Sequence, residues 1–475
     1  MSKRTKIVAT LGPATDRPGV LDAILAAGAD VLRINFSHGS SEDYRRRVEA
    51  VRAASLRLGR DIGILGDLQG PKIRIERFAA GPVELVEGDP FVLDAALPAD
   101  AGHAAAVGVS YKELPKDVAG GDVLLLNDGA ILLEVERVEG PRIHCIVRVG
   151  GTLSDGKGIN RQGGGLSAGA LTGKDRQDIR AAAELELDFL AVSFPRGAAD
   201  MDEARRLLAE AGGRALLVAK IERAEAVEHI EAITAASDVV MVARGDLGVE
   251  IGFAEVPGVQ KHIIRIARSL NRVIITATQM MESMVHEPIP TRAEVSDVAN
   301  AVIDGTDAVM LSAETAVGRF PAKAVAAMAD ACVSAEKQRA TSQSRHRMDK
   351  TFQKTDEAIA MATMYTANHL DVKAIVALTE SGNTVLWMSR IRSGIPIYAF
   401  SRNQGTRRRV ALYRGVYPIP FEGVEDPSRA GFGAVSQALL ERGAAAPGDR
   451  ILFTEGFESG VSGGTNTMKV LRIAG

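Results

Sequence analysis

The chain has 475 residues, of which 46% are hydrophobic and 25% are charged, and its formal net charge is -3. This length predicts about three domains of ~150 residues each, and the composition is that of a soluble globular protein. The charge gives no indication of nucleic-acid or membrane binding, and two cysteines (Cys145 and Cys332) make no disulfide framework. No apolar run approaches ~20 residues and no signal-peptide pattern is present, so we expect a cytoplasmic protein.

The first 70 residues alternate between strand and helix patterns. Short apolar runs at residues 7–11, 31–39 and 62–65 predict strands, and amphipathic stretches at 19–27 and 41–58 predict helices. Because strands separated by helices pair in parallel, this alternation predicts a parallel sheet.

The pattern changes between residues 71 and 166, where short alternating runs are broken by turn residues. This predicts an inserted, antiparallel all-β domain, a small barrel, whose glycine-rich exit at Gly163-Gly164-Gly165 suits a hinge. The main runs are at residues 83–86, 123–126, 131–138 and 143–149.

After the insertion the α/β alternation resumes with five more strand patterns, which brings the total to eight. Eight parallel strands with eight helices predict a (β/α)8 TIM barrel over residues 1–70 and 167–340, with its active site at the carboxyl ends of the strands. A polar linker at about 337–355 then leads into a C-terminal α/β domain over 341–475. The five barrel strands are predicted at 189–192, 215–218, 239–242, 273–276 and 308–311, and the C-terminal strands at 374–378, 397–400 and 450–454.

Polar residues follow the ends of the predicted barrel strands. Lys220 and Glu222 would project from one face of an extended chain, and Asp246 follows the next strand. A lysine beside two carboxylates could hold a hard divalent cation and receive a phosphate-bearing substrate. A Lys-x-Glu sequence alone is more often a salt-bridged rim, but several polar residues at one edge favour a site. The strand-end residues are Arg33, Asn35, Asp67, Ser193, Lys220, Asp246, Thr278 and Ser312.

Three other segments have two interpretations each. Arg33, Asn35 and Ser37 share one face, so they indicate either phosphate binding or a capped strand end. The Arg-Gly-Asp tripeptide at 244–246 carries no weight alone, although it could expose backbone N–H groups to an anion. Residues 379–384, between a strand and a helix, indicate either a phosphate-binding nest or an ordinary N-capped loop.

Taken together, the motifs resemble the pyruvate kinase family over essentially the whole chain, from residue 7 to the C-terminus. The residues that follow position 379 and position 411 further resemble the bacterial type II subclass, which is activated by AMP or sugar monophosphates. The motifs are RINFSHG (33–39), GPKIR (70–74), KIE (220–222), MVARGDLGVE (241–250), ATQMMESM (277–284), PTRAE (290–294), MLSAETA (310–316), TESGNTVLWMSRI and ALYRGV.

The resemblance implies Mg²⁺-dependent phosphoryl transfer from phosphoenolpyruvate to ADP, with Mn²⁺ as a possible substitute. It implies that Glu222 and Asp246 hold the metal, that Lys220 stabilises the phosphoryl group and the enolate, and that Arg33 grips the phosphate. Thr278 and a water would protonate the enolate. The implied substrate-binding residues are Arg33, Lys220, Gly245, Asp246, Thr278 and Ser312.

The resemblance also implies a nucleotide site, an effector site and a homotetramer. In the nucleotide site, Lys157 would come from the inserted domain, which would act as a lid. The implied nucleotide-binding residues are Asn35, Phe36, Ser37, His38, Arg74 and Lys157, and the implied residues for AMP or a sugar monophosphate are Thr379, Glu380, Ser381, Gly382, Asn383 and Thr384. The charge of Glu380 would favour an effector with a single phosphate.

The chain departs from the family at the site that usually holds K⁺. Lys72 stands where most members have a glutamate, and Leu68 replaces a common threonine. A fixed ammonium would supply the charge of K⁺ and repel the ion, so we predict an enzyme that does not require K⁺. The residues of this region are Asn35, Ser37, Asp67, Leu68 and Lys72.

Two alternative functions are considered. One is another Mg²⁺-dependent (β/α)8 enzyme of phosphoenolate or 2-oxo acid chemistry, against which the inserted domain and the C-terminal nest argue. The other is a catalytically silent sensor of sugar phosphates. The presence of Lys220, Glu222, Asp246 and Thr278 argues against the sensor, because a protein without activity has no need of them.

Overall fold

The computed structural model describes residues 3–342, 351–422, 430–456 and 463–474. The first helices and strands match the predicted alternation. Helix α2 begins with a capping box, in which Ser40 Oγ accepts from Asp43 N and the Asp43 carboxylate accepts from Ser40 N, and it ends at the left-handed Gly59. The elements are β1 (Lys6–Thr10), α1 (Val20–Ala26), β2 (Val31–Asn35), α2 (Ser41–Leu58) and β3 (Gly63–Asp67).

The inserted segment folds as an all-β module with one hydrophobic core, which includes Phe91 and Leu133. Its strands form a six-stranded sheet in the order β11-β7-β8-β9-β5-β6 and a two-stranded sheet, β10-β4. Pairing is antiparallel except between β5 and β6. The elements are β4 (Val83–Leu85), β5 (Pro90–Asp94), β6 (Ala106–Gly108), α3 (Leu114–Asp117), β7 (Val123–Leu126), β8 (Ile131–Glu139), β9 (Arg142–Val149), β10 (Gly151–Leu153) and β11 (Ile159–Arg161).

The remaining barrel strands complete a closed sheet in the order β1-β16-β15-β14-β13-β12-β3-β2, which confirms the predicted TIM barrel. Every neighbouring pair in this sheet is parallel. A short 3₁₀ helix at Glu282–Val285 follows β15. The elements are α4 (Gly173–Glu184), β12 (Phe189–Val192), α5 (Ala198–Glu210), β13 (Leu216–Ile221), α6 (Ala224–Glu228), α7 (Ile230–Ala236), β14 (Val239–Ala243), α8 (Arg244–Ile251), α9 (Val256–Ser269), β15 (Val273–Ala277), α10 (Arg292–Asp304), β16 (Ala308–Leu311), α11 (Ala313–Ala316) and α12 (Pro321–Ala335).

The C-terminal domain is a five-stranded sheet in the order β19-β18-β17-β20-β21, with only β21 antiparallel to its neighbour. The three predicted strands are present, and two that were not predicted, β19 and β21, occupy the edges. The predicted linker at 337–355 lies partly outside the described residues. The elements are α13 (Thr355–His369), β17 (Ala374–Leu378), α14 (Asn383–Ser389), β18 (Ile397–Ser401), α15 (Gln404–Val410), β19 (Val416–Pro420), α16 (Ala430–Glu441), β20 (Arg450–Gly456) and β21 (Thr465–Arg472).

The C-terminal domain packs against the amino ends of the barrel strands. Side chains inside the barrel, such as Met241, belong to the same buried cluster as Met364 and Ile375 of the C-terminal domain. Lys6 Nζ donates to the carbonyl of Val416 at 2.6 Å. The C-terminal domain therefore leaves the carboxyl ends of the strands, on the opposite face, uncovered. Across the described residues, no helix combines the length and the apolar character that a membrane crossing requires.

Candidate active site at the carboxyl ends of the barrel strands

Lys220, at the end of β13, is the centre of a buried ionic network. Its Nζ lies 2.9 Å from Glu222 Oε1 and 3.3 Å from Asp67 Oδ1, and it donates to Ser193 Oγ at 2.7 Å. Burial alone would lower the pKa of Lys220, but the carboxylates of Asp67 and Glu222 raise it above its ordinary value. Lys220 is therefore a permanent, rigidly held cation at the rim.

Asp67 connects this lysine to Arg33 on the neighbouring strand. Arg33 Nε donates to Asp67 Oδ2 at 2.6 Å, and Arg33 Nη1 donates to Thr10 Oγ1 at 3.1 Å. Burial opposes ionisation of Asp67, yet Lys220 and Arg33 hold its pKa below the ordinary range. One aspartate thus orients the two cations that face the open end of the barrel.

Glu222 is only 1% exposed, and its burial and its charged neighbours have opposing effects on its pKa. Its Oε2 accepts from Phe194 N at 2.9 Å while Oε1 pairs with Lys220. Burial raises the pKa of Glu222 to about 7; Lys220 counteracts this rise and Asp246 adds to it. A divalent cation between Glu222 and Asp246 would relieve their repulsion.

These two carboxylates fit the Mg²⁺ that the family resemblance implies. In proteins Mg²⁺ is commonly held by one or two carboxylates, with water and substrate oxygens completing its octahedron. In the described part of the chain no group of three or more His, Cys, Asp or Glu side chains is arranged to hold a metal. A metal on Glu222 and Asp246 would therefore depend on substrate oxygens or water for its other ligands.

Lys72 lies at the rim beside the second carboxylate. Its Nζ is 3.6 Å from Asp246 Oδ1, and both side chains are partly exposed. Lys72 also lines a small cavity between the inserted module and the barrel, together with Asn160, Arg223, Asp246 and Glu250. The charge of Lys72 is thus directed at Asp246.

Thr278 and Gly245 meet where β15 and α8 come together. Thr278 adopts a left-handed backbone with φ 68°, and its Oγ1 accepts from Gly245 N at 2.9 Å. A threonine in this conformation is strained, so the surrounding contacts must hold it. The structure thus brings Thr278 next to Gly245, two of the residues that the resemblance assigns to the substrate carboxylate.

Arg244 holds this loop, a role that no sequence motif predicted. Its Nη2 donates to the carbonyl of Thr278 at 2.7 Å and its Nε to the carbonyl of Ala277 at 3.2 Å. Its Nη1 lies 2.6 Å from Asp297 Oδ2. Arg244 is the first residue after β14, so the strand-end rule that selected Asp246 could also have selected it.

The predicted nucleotide residues do not all reach a common surface. Asn35 Oδ1 accepts from Ser37 N at 3.0 Å, which orders the turn after β2, and His38 is exposed. The side chain of Phe36 is 0% exposed and packs on Tyr44 with ring centroids 4.7 Å apart. We therefore correct the assignment of Phe36, because an aromatic side chain buried between the barrel and helix α2 is not available to a nucleotide.

Arg74 and Lys157 come together on the inserted module. Arg74 forms a bridge with Gly158, the neighbour of Lys157, and its Nη1 donates to the carbonyl of Gly156 at 2.7 Å. The two predicted cations are thus on adjacent segments of the module. Its exit glycines, Gly163 to Gly165, all have φ between 79° and 93°. Such a run favours glycine, and it is consistent with the predicted hinge.

Leu68 and Ser312 occupy different environments. Leu68 is 1% exposed and belongs to the barrel core, so its side chain contributes no ligand to the predicted cation region. Ser312 N donates to Glu314 Oε2 at 2.7 Å, which places the serine at the end of β16 on the rim.

The predicted effector nest forms a tight turn before α14. Thr379 Oγ1 accepts from Gly382 N at 3.0 Å, and Gly382 has φ 88°. Thr384 is buried, with its hydroxyl 2.6 Å from that of Thr465 on β21. Glu380 pairs with Arg402 at 3.4 Å, so its charge is partly offset, which weakens the argument for a single phosphate.

Comparisons with known proteins agree with this geometry. Residues 2–325 match the family described as "Pyruvate kinase, barrel domain", and residues 357–471 match "Pyruvate kinase, alpha/beta domain". A "Pyruvate kinase" of Haemophilus influenzae and the "Pyruvate kinase II" of Salmonella typhimurium are each 55% identical to the chain, covering 99% of both sequences. A "Pyruvate kinase" of Mycobacterium tuberculosis is 40% identical, over 100% of this chain and 99% of the relative.

Proposed function

This chain belongs to the pyruvate kinase family, and from that premise we propose that the rim built around Lys220 carries out phosphoryl transfer from phosphoenolpyruvate to ADP. The observation that supports this proposal is the contact of one buried ammonium with two carboxylates, at 2.9 and 3.3 Å, beside a buried arginine. Phosphoryl transfer requires mainly positioning and charge neutralisation, and this group of side chains supplies both.

In this proposal Lys220 and Arg33 bind the phosphoryl group. Both side chains are held by Asp67, so they need little reorganisation as negative charge develops on the bridging oxygen and the enolate. Glu222 and Asp246 would hold Mg²⁺, or Mn²⁺ in its place. The metal would supply a Lewis acid that neutralises phosphoryl oxygens.

The substrate carboxylate is proposed to bind at the start of α8. The N–H of Gly245 now donates to Thr278 Oγ1, while this hydroxyl donates to the carbonyl of Ala277 at 2.7 Å. A substrate carboxylate would take over the Gly245 donor and so free the oxygen of the hydroxyl as an acceptor. The freed hydroxyl of Thr278 would then orient the water that protonates the enolate carbon. Arg244 is a positioning residue in this step, because it holds the carbonyls that fix the strained backbone of Thr278. Ser312 completes this side of the rim.

The enzyme is further proposed to work without K⁺. The ammonium of Lys72 lies 3.6 Å from Asp246, and at this distance a fixed cation supplies the favourable potential that a bound K⁺ would otherwise provide. The predicted monovalent-cation region also includes the fully buried Leu68, whose side chain has no oxygen to offer as a ligand.

The remaining assignments rest on the family resemblance together with the positions reported above. Arg74 and Lys157 would bring the inserted module over ADP, next to Asn35, Ser37 and His38. The turn at residues 379–384 would bind AMP or a sugar monophosphate. The protein would act in the cytoplasm as a homotetramer.

The decisive experiment is pyruvate formation from phosphoenolpyruvate and ADP with Mg²⁺, in buffer free of K⁺ and then with K⁺ added. Rapid turnover that K⁺ does not change would support both the reaction and the role of Lys72. Turnover only with K⁺ would keep the reaction and overturn the argument from Lys72. An inert cation at matched ionic strength is the control.

If no turnover occurred in either buffer, even with glucose 6-phosphate, ribose 5-phosphate or AMP present, the alternative function of a catalytically silent sensor would be favoured. The effector site has its own test in the double variant Ser381→Ala, Thr384→Ala. Activation by these effectors should fall in the variant while basal turnover stays. Unchanged activation would show that residues 379–384 are the wrong site.

A further inference from the structure

A cluster of five arginines lies on the face of the barrel opposite the active site. The arginines surround a cavity of about 20 Å³ between the amino ends of the barrel strands and the C-terminal domain. The cavity is also lined by Gly305 and Asp307, which lie just before β16. We call this group the arginine cluster; its members are Arg4, Arg268, Arg390, Arg392 and Arg414.

Two of the five arginines have carboxylate partners. Arg390 pairs with both oxygens of Asp307, with Nη1 2.8 Å from Oδ2. Arg4 Nε lies 3.5 Å from Glu336 Oε2, and its backbone N–H donates to the same oxygen at 2.9 Å. The two carboxylates that form ion pairs with this cluster, those of Asp307 and Glu336, are therefore already engaged.

The other three arginines contact only carbonyl oxygens and have no ion pair among the described residues. Arg268 donates to the carbonyl of Arg390 at 3.2 Å, and Arg414 to that of Val302 at 3.2 Å. Arg392 donates to the carbonyl of Ala340 at 2.6 Å, among other carbonyls. Arg414 is more than nine-tenths buried, and its Nη2 has no hydrogen-bond partner in the described part of the chain.

The three unpaired guanidinium groups lie close to one another. A Cβ on Gly305, which has φ 107°, would stand 2.6 Å from Arg268 Nη1 and 2.8 Å from Arg392 Nη2, so both cations approach the same point. Burial and the neighbouring Arg392 and Arg390 lower the pKa of Arg268 to about 9. Arg414 is buried, and Arg268 and Arg392 are partly buried. Buried positive charge is costly in a folded protein, so a bound anion would offset the local excess.

We propose that the cavity between Arg268, Arg392 and Arg414 binds one small monatomic anion, chloride under physiological conditions, which fixes the C-terminal domain on the barrel. The volume has room for one or two water-sized spheres, which suits a monatomic ion better than a phosphate or a sulfate. The unpaired Nη2 of Arg414 gives the ion a buried donor. This site lies apart from the proposed active site and from residues 379–384.

A direct test is diffraction from crystals of the full chain grown in sodium bromide, with data collected at the bromine absorption edge. An anomalous peak in the cavity, within contact distance of Arg268 and Arg414, is the expected result. The proposal is overturned if the cavity shows no peak, or if a carboxylate of the chain fills it.

A second test measures the thermal midpoint in increasing sodium chloride against sodium gluconate at the same ionic strength. Saturable binding to the folded state should raise the wild-type midpoint by roughly 2–4 °C in chloride alone. Arg268→Met should lose this response and, without chloride, should be at least as stable as the wild type, because a repulsion is removed. Arg57→Met, which changes an exposed arginine paired with Asp22, should keep the response. An equal chloride response in Arg268→Met would contradict the proposal.

Discussion

The two faces of the barrel differ in how their buried charges are paired. At the carboxyl ends, Lys220 and Arg33 are matched by Asp67 and Glu222, and every one of these groups contacts a partner of opposite sign. In the arginine cluster at the amino ends, only Arg390 and Arg4 are paired with a carboxylate, that of Asp307 and that of Glu336, respectively.

This difference suggests that one face serves the reaction and the other serves the docking of the C-terminal domain. The rim keeps its cations paired but open to a phosphate, so its charges are organised for a reaction. The amino face is closed by the C-terminal domain, and its apolar contacts continue into the interior of the barrel. Substitutions at the rim should therefore change the rate, whereas substitutions at the amino face should change stability.

The largest effect is expected for Lys220→Met. Removal of the cation that neutralises the transferring phosphoryl group should lower kcat by ~10³-fold or more. Steady-state kinetics with phosphoenolpyruvate and ADP would measure this. Lys261→Met, at an exposed lysine paired with Asp304, is the matched control and should retain activity. A loss of less than tenfold in a folded Lys220 variant would contradict the role of this lysine.

Next is Arg390→Met at the amino face, which leaves Asp307 without its buried partner. Breaking a buried ion pair costs about 3–5 kcal/mol, so chemical unfolding should shift to clearly lower denaturant concentration. Below its unfolding temperature the variant should keep a wild-type kcat. If kcat fell as steeply as in Lys220→Met, the separation between the two faces would be wrong.

A smaller change is expected for Lys72→Glu, which reverses a charge 3.6 Å from Asp246. Without K⁺ the variant should lose roughly 10–100-fold in turnover, and added K⁺ should restore part of the loss. Lys72→Met removes the charge without reversing it and should show a weaker loss. Activity of Lys72→Glu that does not respond to K⁺ would rule out the proposed substitution of the ion by the lysine.

The smallest effect concerns Glu250, where the barrel meets the inserted module. Its Oε2 accepts from Ala224 N at 3.0 Å, and the side chain faces Arg223, Glu225 and Asn160. Burial raises its pKa from the ordinary 4.5 to about 7. The folded protein therefore holds this proton more tightly than the unfolded chain, and the resulting stability is lost as the pH rises from about 4.5 to about 7.

Glu250→Gln does not titrate and can still accept the bond from Ala224. The thermal midpoint of the variant, relative to the wild type, should therefore rise by a few degrees as the pH increases from 5 to 8. A midpoint difference that is constant across this range would show that Glu250 titrates normally.

Local patterns in the sequence were enough to predict the barrel and most of its rim. The eight strands follow from apolar runs between helices, and parallel pairing sets their carboxyl ends at one edge, so Arg33, Asp67, Lys220 and Asp246 could be expected there. The assignment of Phe36 came from the family resemblance, whereas alternation along the strand places Phe36 on the face opposite Arg33 and Asn35, where it is buried.

Only the tertiary structure decided which distant side chains meet. Lys72 reaches Asp246 because the inserted module closes against the rim, and Arg244 reaches the backbone of Thr278 because two strand ends are adjacent. The arginine cluster joins residues from position 4 to position 414, and no repeating pattern in the sequence connects these positions.

The sequence by itself determined the strands, the helices and the ends that carry polar residues, since these depend on neighbours along the chain. The balance of charge on each face depends on how the domains dock, which is a property of the folded molecule.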